Sequence, residues 1–137
     1  MRAFSREDFV KEFSKAFGHQ IDGSWTCNEL WFRFQLIEEE FKELQHEVAE
    51  CLVLDGLEKP INIERRAKLV KEMADLQYVL SGMAVSLGIP LQEAFIRVHK
   101  SNMTKLGEDG KVIYREDGKV LKGPNYRPPV LTDLLKE

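Results

Sequence analysis

Two stretches of this chain repeat apolar residues at helical spacing, and both carry acids on the same wall. At about 100° per residue, Leu30, Phe34, Ile37, Phe41, Leu44, Val48 and Leu52 fall within one narrow arc. Leu69, Met73, Leu76, Leu80, Met83 and Leu87 share one face of the second stretch. Both stripes are expected to be core. Glu40 lies on the shoulder of the first stripe beside Arg33, with Glu43 and Glu47 slightly further round and Glu39 and Glu50 further out. Glu72 projects partly inside the second apolar arc, with Asp75 next to it. A chain built this way folds as long paired helices with carboxylates close to their contact.

Residues three or four apart on a helix stand about 5–6 Å from each other, so Glu40/Glu43 and Glu72/Asp75 each form a two-carboxylate claw. An acidic helix stripe is most often a solvated face. Three features weigh against that explanation. Glu39/Glu43, Glu40/Glu43 and Glu43/Glu47 are like-charge neighbours, each costing about 0.2–0.5 kcal/mol when unscreened. No lysine stands four residues after Glu40 or Glu43. The second claw sits at the margin of an apolar stripe, where an uncompensated charge is expensive. Two facing claws make an all-oxygen anionic cavity suited to a hard divalent cation: Mg²⁺ where phosphates are also bound, with Mn²⁺ as a substitute.

The remaining residues read as support for those helices. At 137 residues and 43% hydrophobic content the chain is the size of one domain. Ser5 to Asp8 is a capping-box-like start for a helix carrying Phe9, Phe13, Ala16 and Phe17, ended by Gly18. Trp25 is expected to be a buried anchor of the following loop, with stacking on a base as the alternative. Thr26 to Glu29 opens the second helix, which runs to about Leu54; Asn62 caps a third reaching Leu87, closed by Gly88. Pro90 starts a fourth helix ending near Met103. Val112–Arg115 and Lys119–Lys122 flank Asp117-Gly118 as a β-hairpin, followed by a Pro-rich arm and a short helix near Leu131 to Leu135. The expected fold is all-α: one domain over 1–137, with a four-helix bundle-like core at about 5–106 and a hairpin and extended arm at about 107–130.

The net charge of -3 and pI of about 5.7 exclude a protein whose main task is neutralising a nucleic-acid polymer. The distribution is uneven: 17 Asp/Glu against 11 Lys/Arg from Met1 to Ile96, then 8 Lys/Arg against 4 Asp/Glu from Arg97 to Arg127. Cys27 and Cys51 match neither a disulfide scaffold nor a zinc motif. No apolar run approaches the roughly 20 residues that span a bilayer, so no membrane partner and a cytoplasmic location are expected. The basic segment supplies phosphate partners: Lys105, Lys100 and Arg115 are candidates to hold substrate oxygens. His99 reads as a helix-end residue, while Tyr114 and Tyr126 suit either a base cover or an anchor for the arm.

Glu39-Glu40-Phe41-Lys42-Glu43, followed by Glu72-Met73-Ala74-Asp75, resembles the EExxE and ExxD signature of the MazG-like, all-α nucleoside triphosphate pyrophosphohydrolases, a superfamily that includes phosphoribosyl-ATP pyrophosphohydrolases. The likeness covers roughly Leu30 to Leu131, through Val98 to Gly107 and the Pro-rich arm. It implies that Glu40, Glu43, Glu72 and Asp75 ligate Mg²⁺, that Glu39 orients or deprotonates the attacking water, and that Asn102 contacts the nucleoside. Glu47 remains open between ligand and solvated residue. The function so implied is hydrolysis of a nucleoside triphosphate or related nucleotide to the monophosphate and pyrophosphate by a homodimer or homotetramer. Two alternatives stand beside it: phosphoribosyl-ATP hydrolysis in histidine biosynthesis, and a non-catalytic helical dimerisation module.

Overall fold

The computed structural model describes residues 4–107 and 109–136. Among them are four α-helices: α1 (Arg6–Ala16), α2 (Cys27–Gly56), α3 (Ile63–Leu87) and α4 (Leu91–Met103), followed by a 3₁₀ turn at Thr132–Leu134. The chain divides into two compact units, Met1–Ile89 and Pro90–Glu137.

Local capping sets the helix starts of the first unit. Ser5 and Asp8 close a reciprocal box, the Ser5 amide donating to Asp8 Oδ2 at 2.7 Å and the Asp8 amide to Ser5 Oγ at 3.3 Å. Thr26 Oγ1 accepts from the Glu29 amide, and Asn62 Oδ1 accepts from the Arg65 amide. Gly88, at φ 67°, ends α3 in the left-handed conformation that favours glycine. The last carbonyls of α3 have no partners within the helix, and the loop after α1 supplies them. Asp22 and Gly23 amides donate to Val85 O and Ser86 O, and the Trp25 indole donates to Leu87 O at 2.9 Å. Trp25 thus ties the loop to α3 through its indole N–H, but it is 51% exposed rather than buried as expected.

Helix α3 packs along α2 and against α1. Its close contacts link Glu29 to Ser86, the Glu40/Glu43 claw to Glu72/Asp75, and Glu47 to Arg65. Positions rise along α2 as they fall along α3, so the two helices are antiparallel. At the closed end, Ser81, Gly82, Ala84, Val85, Ser86 and Leu87 are buried with Val10 and Ser14 of α1. Small side chains let the backbones approach there.

The expected core stripes are only partly inside. Leu30, Ile37 and Leu44 are half-buried, but Phe34, Phe41, Val48 and Leu52 are exposed, Phe41 by 52%. Met73 and Leu80 of α3 are exposed likewise, while Leu69, Leu76 and Met83 are half-buried and Leu87 is buried. The reason is the rotation of α2: the side turned to α3 is centred on Arg33, Glu40 and Glu47, which stand beside Gly82, Glu72 and Arg65 of α3. The outer apolar residues stand roughly a quarter to a third of a turn away from that contact line. Because the helices are antiparallel, those of α2 and those of α3 face the same flank of the pair. Glu39, Glu43, Lys71 and Asp75 project toward the opposite flank. Phe9 of α1 and Phe17 at its C-cap are also exposed, and Phe13, exposed to a lesser degree, meets Tyr78 edge-on at 5.6 Å.

In the second unit the Pro-rich arm lies against α4. Ser101 Oγ donates to Arg127 O at 2.6 Å, the Arg127 amide donates to Thr104 Oγ1 at 2.9 Å, and Arg97 donates to Val130 O and to Asp133 Oδ1. The expected β-hairpin is corrected: no strand forms among the described residues. Its turn survives as one antiparallel bridge, Tyr114 to Val120, with Gly118 at φ 89°. An isolated two-stranded ribbon is marginal without a third strand or a packed face, and Val112, Ile113, Tyr114, Val120 and Leu121 all remain exposed. The expected final helix is reduced to the 3₁₀ turn.

Candidate metal and nucleotide site

The two claws meet. Glu40, Glu43, Glu72 and Asp75 each offer one carboxylate oxygen, and these four lie within 4.8 Å of one another. Glu40 and Glu72 are the deeper pair; Glu43 is exposed and Asp75 is half-buried. Glu40 Oε2 and Glu72 Oε2 are out of contact with solvent and have no hydrogen-bond partner. Burying an unpartnered carboxylate oxygen is costly, and a hard cation is the partner such a donor set suits. The residues present therefore fit a divalent metal.

The electrostatics carry the same message. Burial raises Glu40 above the usual carboxylate range, and the nearby Glu43, Asp75 and Glu72 charges add to the rise. Glu72 is raised by burial first and by the neighbouring Glu43 carboxyl second. Lys71 opposes this from the rim: its Nζ is 2.7 Å from Asp75 Oδ2 and 3.7 Å from Glu72 Oε1. Sequence reasoning missed Lys71, although its position four residues before Asp75 is the spacing of a helical ion pair.

The other candidates fall in three places. Glu39 is exposed on α2, about 100° round the helix from Glu40 and outside the four-oxygen cluster. Glu47 is half-buried and paired with Arg65 at 2.8 Å, which gives it a counter-ion without a metal. Lys100, Asn102, Lys105 and Arg115 belong to the second unit. Lys100 lines a shallow groove with Arg97, Thr104 and Arg127; Lys105 is half-buried and Asn102 exposed. Neither lysine forms an ion pair among the described residues. Arg115 pairs with Asp117 inside the bridge turn, and that hydrogen bond raises the guanidinium pKa further. Tyr126 is half-buried under the Lys122 ammonium, and Tyr114 is exposed.

A second buried ionic group was also missed. Arg33, 5% exposed, donates to Glu29 Oε1 at 2.8 Å, and Ser86 Oγ donates to the same oxygen at 2.6 Å. Gln20 donates to Ser86 O and Ser86 Oγ, joining the loop to this network. The Ser86 hydrogen bond and then Arg33 hold Glu29 below the usual carboxylate range. In sequence Glu29 reads as the acid of a capping box; the Glu29–Arg33 spacing of four is the signal for its actual role.

No helix among the described residues is long and apolar enough to cross a membrane. No curated protein matches the chain. A family model described as phosphoribosyl-ATP pyrophosphohydrolase matches residues 6–102, which include both claws and all of α1 to α3. With four helices, facing acid claws and a match over most of its length, the chain belongs to the phosphoribosyl-ATP pyrophosphohydrolase family, within the MazG-like all-α nucleoside triphosphate pyrophosphohydrolase superfamily.

Proposed function

We propose that this chain is a Mg²⁺-dependent nucleotide pyrophosphohydrolase that cleaves a nucleoside triphosphate, or a related nucleotide, to the monophosphate and pyrophosphate. The observation that carries this reading is the convergence of four carboxylates from two helices, with two buried oxygens left without a partner. Glu40, Glu43, Glu72 and Asp75 would hold Mg²⁺, or Mn²⁺ in its place. The bound metal would neutralise phosphate charge and acidify water. Glu39 stands outside the ligand set but on the same flank as Glu43 and Asp75, which suits a base that takes the proton of the attacking water. Lys100, Asn102 and Lys105 are assigned to the nucleotide, with Arg115 a further phosphate partner once released from Asp117.

The working form is a homo-oligomer, a dimer or tetramer. Phe34, Phe41, Val48 and Leu52 of α2 and Met73 and Leu80 of α3 form an apolar flank that one copy leaves open, the kind of surface a second copy covers. The flank lies across the helix pair from the claw rim, so covering it leaves the acids accessible. The family description favours one second reading, phosphoribosyl-ATP as the substrate in histidine biosynthesis.

Pyrophosphate release from a panel of ribo- and deoxyribonucleoside triphosphates and phosphoribosyl-ATP, each with and without Mg²⁺, tests the assignment. Mg²⁺-dependent turnover of a triphosphate supports the first reading, and turnover confined to phosphoribosyl-ATP supports the second. No turnover of any of them, with no Mg²⁺-dependent thermal shift, would sink both and leave a non-catalytic helical module.

A further inference from the structure

The acid cluster already has a cation of its own. Lys71 reaches forward four residues to Asp75, at 2.7 Å, and stands 3.7 Å from Glu72 Oε1, so its ammonium lies between two of the four carboxylates whose oxygens converge. Its side chain is 65% exposed and approaches from the rim. It leaves the floor untouched: Glu40 Oε2 and Glu72 Oε2 stay without a partner. The ammonium therefore compensates the outer part of the cluster and cannot replace an ion that reaches all four acids. A divalent cation seated there would stand within a few ångströms of Nζ, and two positive charges at that separation repel. The lysine stem is flexible and mostly in solvent, so Lys71 can yield by swinging outward without disturbing packing.

We propose that Lys71 is a tethered counter-ion that holds the acid claws in the metal-free protein and must be displaced when a divalent cation binds, so that it sets the metal affinity of the site. This inference rests on the metal-site reading above.

The test is Mn²⁺ binding in the absence of nucleotide, followed by the paramagnetic resonance signal of free Mn²⁺, for the wild type, Lys71→Gln, Lys71→Arg and Glu72→Gln. Removing the ammonium is expected to tighten Mn²⁺ binding by about two- to fivefold, the range of a solvent-exposed ion pair. Lys71→Arg, which keeps the charge, stays near the wild type. The metal-free melting temperature of Lys71→Gln falls, and its rise on adding Mn²⁺ exceeds that of the wild type. If Lys71→Gln binds Mn²⁺ no more tightly while Glu72→Gln loses binding, the counter-ion proposal is wrong and the metal site stands. If Glu72→Gln binds Mn²⁺ like the wild type, the metal site itself is wrong and the counter-ion role goes with it.

Discussion

Helices α2 and α3 hold carboxylates at three levels; Glu47 is paired with Arg65, and the other two levels are solved in opposite ways. Near the closed end, Glu29 meets Arg33 and Ser86, and the pair, once formed, has little left to bind. Three turns along, Glu40 and Glu72 meet each other, Glu43 and Asp75, with one lysine at the rim and two oxygens unpartnered. The same helices thus hold a completed ion pair and an incomplete one. A completed pair fixes the register of two helices, whereas an incomplete one stores unfavourable charge that a ligand can relieve. On the proposed function, stability and activity are separated along the helix axis.

Breaking each level in turn should show that separation. The largest effect is expected for Glu40→Gln or Glu72→Gln, which remove a deep oxygen of the proposed metal site: Mg²⁺-dependent pyrophosphate release should fall by about a thousandfold, roughly 4 kcal/mol of transition-state stabilisation. Metal-free melting should rise in the same variants, because like-charge crowding is relieved. Loss of turnover accompanied by a lower melting temperature would contradict the idea that these acids are held at a cost to the fold. Arg33→Met, at the other level, leaves Glu29 without its guanidinium and is expected to destabilise by about 3 kcal/mol, read by urea unfolding. Its Mn²⁺ affinity, measured under folded conditions, should be unchanged; a matching loss of affinity would show that the two levels are coupled.

A smaller effect separates the levels by pH. Glu40 and Glu72 are raised, so each binds its proton more tightly in the folded chain; the stability they contribute is present below the usual carboxylate pKa and is lost as pH rises through their raised values. Glu29 is lowered, so its contribution is present above the usual carboxylate pKa and is lost as pH falls through its lowered value. Melting temperature followed between about pH 3 and 7 should therefore contain two opposing slopes. Mg²⁺ should reverse the first and leave the second; a profile insensitive to Mg²⁺ over the upper part of that range would remove the distinction.

What local spacing controls was legible in the sequence. Ser5 with Asp8, Thr26, Asn62 and Gly88 mark helix ends because capping depends on residues within one turn. The claws were legible for the same reason: three-residue spacing alone places Glu40 beside Glu43 and Glu72 beside Asp75, and their position on apolar shoulders indicated which acids lie deeper. Burial was not legible to that extent. Periodicity says that Phe34, Phe41, Val48 and Leu52 share a face, but not which face α3 takes, and α3 takes the one bearing Arg33, Glu40 and Glu47. The hairpin failed similarly, since Asp117-Gly118 encodes a turn while strands need a partner surface that Val112–Arg115 and Lys119–Lys122 do not find. By itself the sequence determined four helices, their ends and the identity of the acids, all of which depend on neighbours within about four positions. Only the tertiary structure decided that two claws 29 to 35 residues apart in the chain meet and that Glu29 is completed by Ser86, because each of these depends on the rotation and register of one helix against another.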